Sequence, residues 1–201
     1  MKLKRLYQAF QAYRNSENLG DFALLKADSL RAKINPAVKE RMQSVVGYHP
    51  QIDLSHLIQL PPGTFGHEYA SYMQHYQLKP LNISPELGKI AQDNVFALRY
   101  AVTHDMFHVL LDFDTSYAGG IGVLAFAVAQ KYSKIQVVSL EIAKLLYPIL
   151  ASRQLTTIQE NLQRGKRMGI EANFLLNYRF EERWKEPLAS LRKELSLNLD
   201  S

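Results

Sequence analysis

Apolar residues recur at helical spacing along nearly the whole chain, and no stretch shows the strand-like alternation between turn residues that a sheet needs. The expectation is an all-α fold, a single-domain helical bundle over residues 1–201. Leu3, Leu6, Tyr7, Phe10 and Tyr13 form a first apolar stripe. Asn35-Pro36 and Ser84-Pro85 each place a capping residue before a proline suited to a first helical turn. After the first of these, Val38, Met42, Val45 and Val46 make one buried face that ends at Gly47. A turn-rich stretch over 60–66 leads into a Tyr-rich helix reaching about Leu78. From Pro85 the spacing predicts one long helix over 85–111, a glycine break at Gly119-Gly120 and a small-residue helix through Gln130. Further helices are expected over 134–146 and 148–163. A last one runs from Phe174 into the 190s, bent at Pro187, with Trp184, Leu188, Leu191 and Leu195 on one side.

Composition narrows the chemistry. The chain has no cysteine, which excludes disulfides and thiolate metal sites and favours a reducing, intracellular setting, cytoplasmic or peripheral on the inner face of a membrane. A net charge of +5 biases it toward anionic partners, yet no basic stripe with interleaved aromatics marks a nucleic-acid site. The most apolar uncharged run, residues 115–130, is shorter than the roughly 20 residues that span a bilayer. The start of the chain, with Lys2, Lys4, Arg5 and Arg14 beside apolar residues, lacks a signal-peptide core and reads as a first core helix rather than a membrane-surface helix.

At about 100° per residue, Leu87, Ile90, Asn94, Ala97 and Ala101 fall on one side of the long helix. His104, Asp105, His108 and Asp112 continue that face, so four polar groups are expected to point inward. Burying ionisable side chains is costly unless they are paired, hydrogen-bonded or coordinated. Two readings follow. Histidines at i and i+4 can present both imidazoles to one divalent ion, Zn, Mg or Fe, with Asp105 as a third ligand or as an orienting group. Alternatively, the cluster is a hydrogen-bonded buried network without metal.

Arg99-Tyr100 followed by His104-Asp105-Met106-Phe107-His108 resembles the signature of the Coq-four family, the fourth coenzyme Q biosynthesis protein: His-Asp-x-x-His, eleven residues, then Glu. Upstream, Leu60-Pro61-Pro62-Gly63-Thr64-Phe65-Gly66-His67-Glu68-Tyr69 is similar to the family's Gly-Thr-x-Gly-x-x-Tyr stretch. Downstream, Gly165-Lys166-Arg167-Met168-Gly169 and Glu181-Glu182-Arg183-Trp184-Lys185-Glu186-Pro187-Leu188 resemble its carboxy-terminal part. The resemblance covers the chain from about residue 50 to its end. It implies an all-helical, membrane-peripheral protein that binds or acts on polyprenylated ring precursors of ubiquinone and organises the other quinone-biosynthesis enzymes. In members with the full signature it also implies metal-dependent oxidative removal of the ring carboxyl, that is, C1 decarboxylation and hydroxylation. Here Gly120 stands where the signature has glutamate. The expectation is therefore a prenyl-lipid or quinone-precursor binding protein, with catalysis left open and Asp112, one turn beyond His108, as the candidate compensating ligand.

Two further sites follow from that expectation. The apolar segment 121–150, beginning with Val123, Leu124 and Phe126, offers either a groove for a prenyl chain or ordinary core. Arg164, Lys166 and Arg167, set among Gly165 and Gly169, offer either a phosphate cradle or a solvated turn. The competing function is an all-helical His-Asp metal phosphohydrolase, for which His67 and His75 are the available upstream histidines. Oligomeric state is open, a homodimer included.

Overall fold

Caps and prolines set where the helices begin. The computed structural model describes residues 36–199 together with Gly20, Asp21, Leu24, Leu25 and Asp28. The stripe over residues 3–13 and the basic start lie outside the described residues. Helix α1 (Pro36–Arg41) opens on its proline. Asp53 caps α2 (Leu54–Leu57) by accepting from the amides of Ser55 and His56, and Thr64 caps α3 (Phe65–His75) through the His67 amide. Val38, Met42 and Val45 are buried as expected. Val46 is exposed, because a 3-10 turn at Gln43–Val45 breaks the α-helical phase.

The expected long helix over 85–111 is divided into a 3-10 turn (Pro85–Leu87), α4 (Gly88–Asp93) and α5 (Val95–Leu111). The break is Asn94, at φ −127° and ψ 68°. Its side-chain oxygen accepts from the Ala97 amide while its amide group donates to Asp28. Asn94 thus acts as an N-cap within an apolar run. Helix α5 is buried on nearly every side, which makes it the central element.

Gly119 and Gly120 lie inside α6 (Tyr117–Ala129), capped by Ser116; the turn comes earlier, at Asp112, whose φ is +56°. Pro148 sits within α7 (Lys134–Leu150) instead of separating two helices, and α8 spans Leu155–Glu171. Helices α6 and α8 press backbone against backbone: a Cβ on Gly165 would lie 2.1 Å from the Gly122 carbonyl oxygen, and only glycine permits that approach.

The last expected helix is mostly loop. Residues 174–187 carry a 3-10 turn at Phe180–Glu182, and α9 is only Leu188–Glu194, beginning after Pro187. The backbone there is used in tertiary pairing: the amides of Phe65 and Gly66 donate to the carbonyls of Glu186 and Trp184, and the Leu188 amide donates to that of Gly63. Trp184 stacks on Phe65 at 4.9 Å. The largest apolar cluster joins Phe65, Tyr69, Phe107, Phe126, Phe180 and Leu191 around α5. Among the described residues there is no strand, only one isolated bridge between Thr64 and Pro187.

Candidate functional site

His104 and His108 lie one turn apart on α5 with ring centroids 5.1 Å apart, nearly perpendicular. The His108 Nδ1 is 3.3 Å from the Phe113 carbonyl oxygen. A carbonyl only accepts, so Nδ1 carries the proton and Nε2 keeps its lone pair. The Tyr72 hydroxyl donates to the same carbonyl at 3.2 Å. His104 Nδ1 is buried and finds no hydrogen-bond partner among the described residues. Burial lowers the pKa of His104. Burial, and then the neighbouring His104, bring His108 down to about 4. Burial pushes Asp105 up to about 6, with His108 pulling the other way. At neutral pH the site therefore presents two neutral imidazoles beside a carboxylate close to its protonation range.

These three side chains line a cavity of about 460 Å³ together with Tyr117, Gly120, Tyr147 and Gln154. Tyr117 and Tyr147 meet edge to face at 4.9 Å. Gly120 borders the cavity, and a Cβ placed on it would meet nothing within 4 Å. Neither tyrosine was legible as a site residue, since α6 and α7 are brought together only by packing. Neither His67 nor His75 joins this cavity, so the phosphohydrolase arrangement gains no upstream histidine here.

Asp112 departs from the expected face. The helix ends at Leu111, and Asp112 turns into the left-handed region as its C-cap. Arg164 and Arg192 seize the last carbonyls of α5: Arg164 donates to those of Leu111 and Asp112, and Arg192 to those of Val109 and Leu110. The Asp112 carboxylate is 68% exposed, 3.9 Å from Arg192. It lines a neighbouring cavity of about 510 Å³ with Glu68, Tyr72 and His75, which touches the first cavity through His108. Among the described residues no three His, Asp or Glu side chains are arranged to hold a metal ion. The donor set around His104 and His108, with Gly120 in place of a carboxylate, thus does not fit a resident Zn, Mg or Fe.

The other expected sites also move. Val123 and Phe126 are fully buried, Phe126 against Phe107, so they are core and not groove; Leu124 is half-buried. The exposed apolar surface lies on α7 instead: Val138, Ile142, Leu145 and Ile149 share one face, with Leu145 72% and Ile149 77% exposed. Arg164 is committed to capping α5 and lies over the Phe113 ring, and Gly165 and Gly169 are interior to α8, so no phosphate cradle forms there. Lys166 and Arg167 are on the surface.

A family model described as Coenzyme Q (ubiquinone) biosynthesis protein Coq4 matches residues 39–200. The chain belongs to the Coq4 family. It is 31% identical over 149 residues to the Ubiquinone biosynthesis protein COQ4 homolog, mitochondrial, of Bos taurus, covering 73% of this chain and 55% of that protein. The homologue of Homo sapiens is 28% identical over the same length, with 55% of that protein covered. This chain spans about half the length of the curated relatives it matches. A crystal structure from Nostoc punctiforme, of a protein assigned to ubiquinone biosynthesis, shares the fold with a TM-score of 0.70 at 24% identity, covering 98% of this chain and 97% of that one. Among the described residues of this Coq4 family member, no single helix is long and apolar enough to cross a membrane.

Proposed function

We propose that this chain serves coenzyme Q biosynthesis by holding a prenylated ring precursor at a membrane surface, where it presents the ring to the other quinone-biosynthesis enzymes. The ring occupies the cavity of His104, Asp105 and His108, and the isoprenoid chain lies along the exposed apolar face of α7. One observation carries this reading: Tyr147, on the inner side of α7, lines the cavity that contains His104, and Leu150 and Leu146, next to it along and around the helix, lead from there to the exposed apolar face. A polar-ended pocket beside a greasy surface suits a ligand with a polar ring and an apolar tail. The His108 Nε2 lone pair can accept from a ring hydroxyl, because Nδ1 is held by the Phe113 carbonyl.

The same face suits a peripheral position on an inner leaflet. Lys131, Lys134 and Arg153 are exposed at the two ends of α7, and each basic residue near an anionic bilayer contributes about 1 kcal/mol. An amphipathic helix of this kind lies in the interface plane. The test is native mass spectrometry of the purified full chain, joined to flotation with vesicles containing phosphatidylglycerol. A retained isoprenoid-bearing ring compound and flotation of the wild type are expected, with flotation lost and the melting temperature unchanged in the double variant Leu145→Glu, Ile149→Glu. A protein that carries no such compound, does not bind an added farnesylated hydroxybenzoic acid and does not float would end this reading.

A further inference from the structure

Gly120 is a glycine that the fold does not require. It sits in the interior of α6, where glycine is less favourable than any ordinary residue. Its φ is not positive, and a Cβ there would touch nothing within 4 Å, unlike the Gly165 contact between α6 and α8. What the missing side chain leaves is room in the cavity. Tyr117, three residues earlier, lies on the same face of α6 and is 44% exposed; Gly120 and Tyr147 are half-buried. His104 lines the same cavity with a half-buried side chain whose Nδ1 is buried without a partner among the described residues.

We infer that Gly120 determines the specificity of this pocket: the space above it, bordered by the touching rings of Tyr117 and Tyr147, accepts a planar aromatic ring whose oxygen substituent reaches His104. The inference rests on the proposed function and sharpens it, by separating the part of the site that selects the ring from the part that holds the chain. The two tyrosines, meeting edge to face, supply aromatic contact to a ring seated against them. A Cβ on Gly120 meets nothing within 4 Å, so a side chain there enters the ring's place without a backbone clash at its root, which makes the idea testable with folded protein.

The experiment is isothermal titration of the full chain with two probes in the same detergent: 3-farnesyl-4-hydroxybenzoic acid, which has ring and chain, and farnesol, which has only the chain. For Gly120→Leu, affinity for the farnesylated acid is expected to fall at least about tenfold while farnesol binding stays within about twofold of wild type. Gly120→Ala, which adds one methyl group, is expected to lie between the two and to melt at a higher temperature than wild type, confirming that the position tolerates a side chain. Wild-type-like binding of the farnesylated acid by Gly120→Leu would overturn the ring slot and leave the proposed function standing, as would equal loss of both probes. Failure of the wild type itself to bind either probe would remove the proposed function, and the slot with it.

Discussion

A carboxyl buried beside two imidazoles makes stability depend on pH in opposing directions. Asp105 titrates at about 6 in the fold against 3.8 ordinarily, so between those values the unfolded chain has released its proton and the native chain still holds it. That contribution lowers stability as pH rises from about 4 to about 6, and the loss then persists at higher pH. His108, at about 4 against 6.5, acts with the opposite sign: its contribution is present at neutral pH and is lost as pH falls through that window, and His104 shifts in the same direction. Asp105→Asn removes only the unfavourable carboxylate. We expect the variant to be more stable than wild type by about 1–3 kcal/mol at about pH 7.5, equal to it near pH 4, and steeper between. Urea denaturation across pH measures this, and parallel profiles for the two proteins would refute it. The inward pair His104 and His108 was legible because a four-residue interval is one helical turn. Asp112 was not, because periodicity says nothing about where a helix stops.

For the elements, the contact between α6 and α8 is decided by backbone clearance. Gly165→Ala adds a methyl group 2.1 Å from the Gly122 carbonyl oxygen, forcing the helices apart. Alanine favours the isolated helix by about 1 kcal/mol, yet overpacking costs about 1–3 kcal/mol or more, so net destabilisation is expected. Gly88→Ala in α4, where a Cβ would meet nothing within 4 Å, is the matched control and should be neutral or stabilising. Chemical denaturation of the two variants decides the matter; a Gly165→Ala protein as stable as wild type would mean the helices are not held this closely. The starts at Pro36 and Pro85 were readable from proline's fixed φ, which is local; the expected cap at Ser84 makes no side-chain hydrogen bond and opens only a 3-10 turn, and Asn35 lies outside the described residues. The break at Asn94 was hidden, since an asparagine in an apolar run fits a helix face as well as a cap until Asp28 fixes its amide. The same holds at Pro148, which removes one donor but does not end α7.

Across the whole molecule, Arg99 ties the centre to the periphery. Its guanidinium is fully buried and bonds both carboxylate oxygens of Glu181, at 2.7 and 3.3 Å, and the carbonyls of Tyr48 and Tyr178. One side chain thereby joins α5 to the loop before α2 and to the carboxy-terminal loop. Arg99→Met would strand the Glu181 carboxylate in the interior, and a loss of about 3–5 kcal/mol is expected. Adding Glu181→Leu should restore much of it, which a double-mutant cycle of unfolding free energies would reveal; additive losses would contradict the coupling. By itself the sequence determined the all-helical class, the family through its His-Asp-x-x-His helix, and the inward placement of His104 and His108, because all three are written in short-range spacing and residue type. Only the tertiary structure decided that Asp112 faces away, that Arg164 caps a helix instead of binding phosphate, that Val123 and Phe126 are core while α7 carries the exposed apolar face, and that Tyr117 and Tyr147 close over Gly120. Each of those depends on which element arrives from a distant part of the chain to take up a carbonyl, a ring or a surface, and local periodicity holds no record of that.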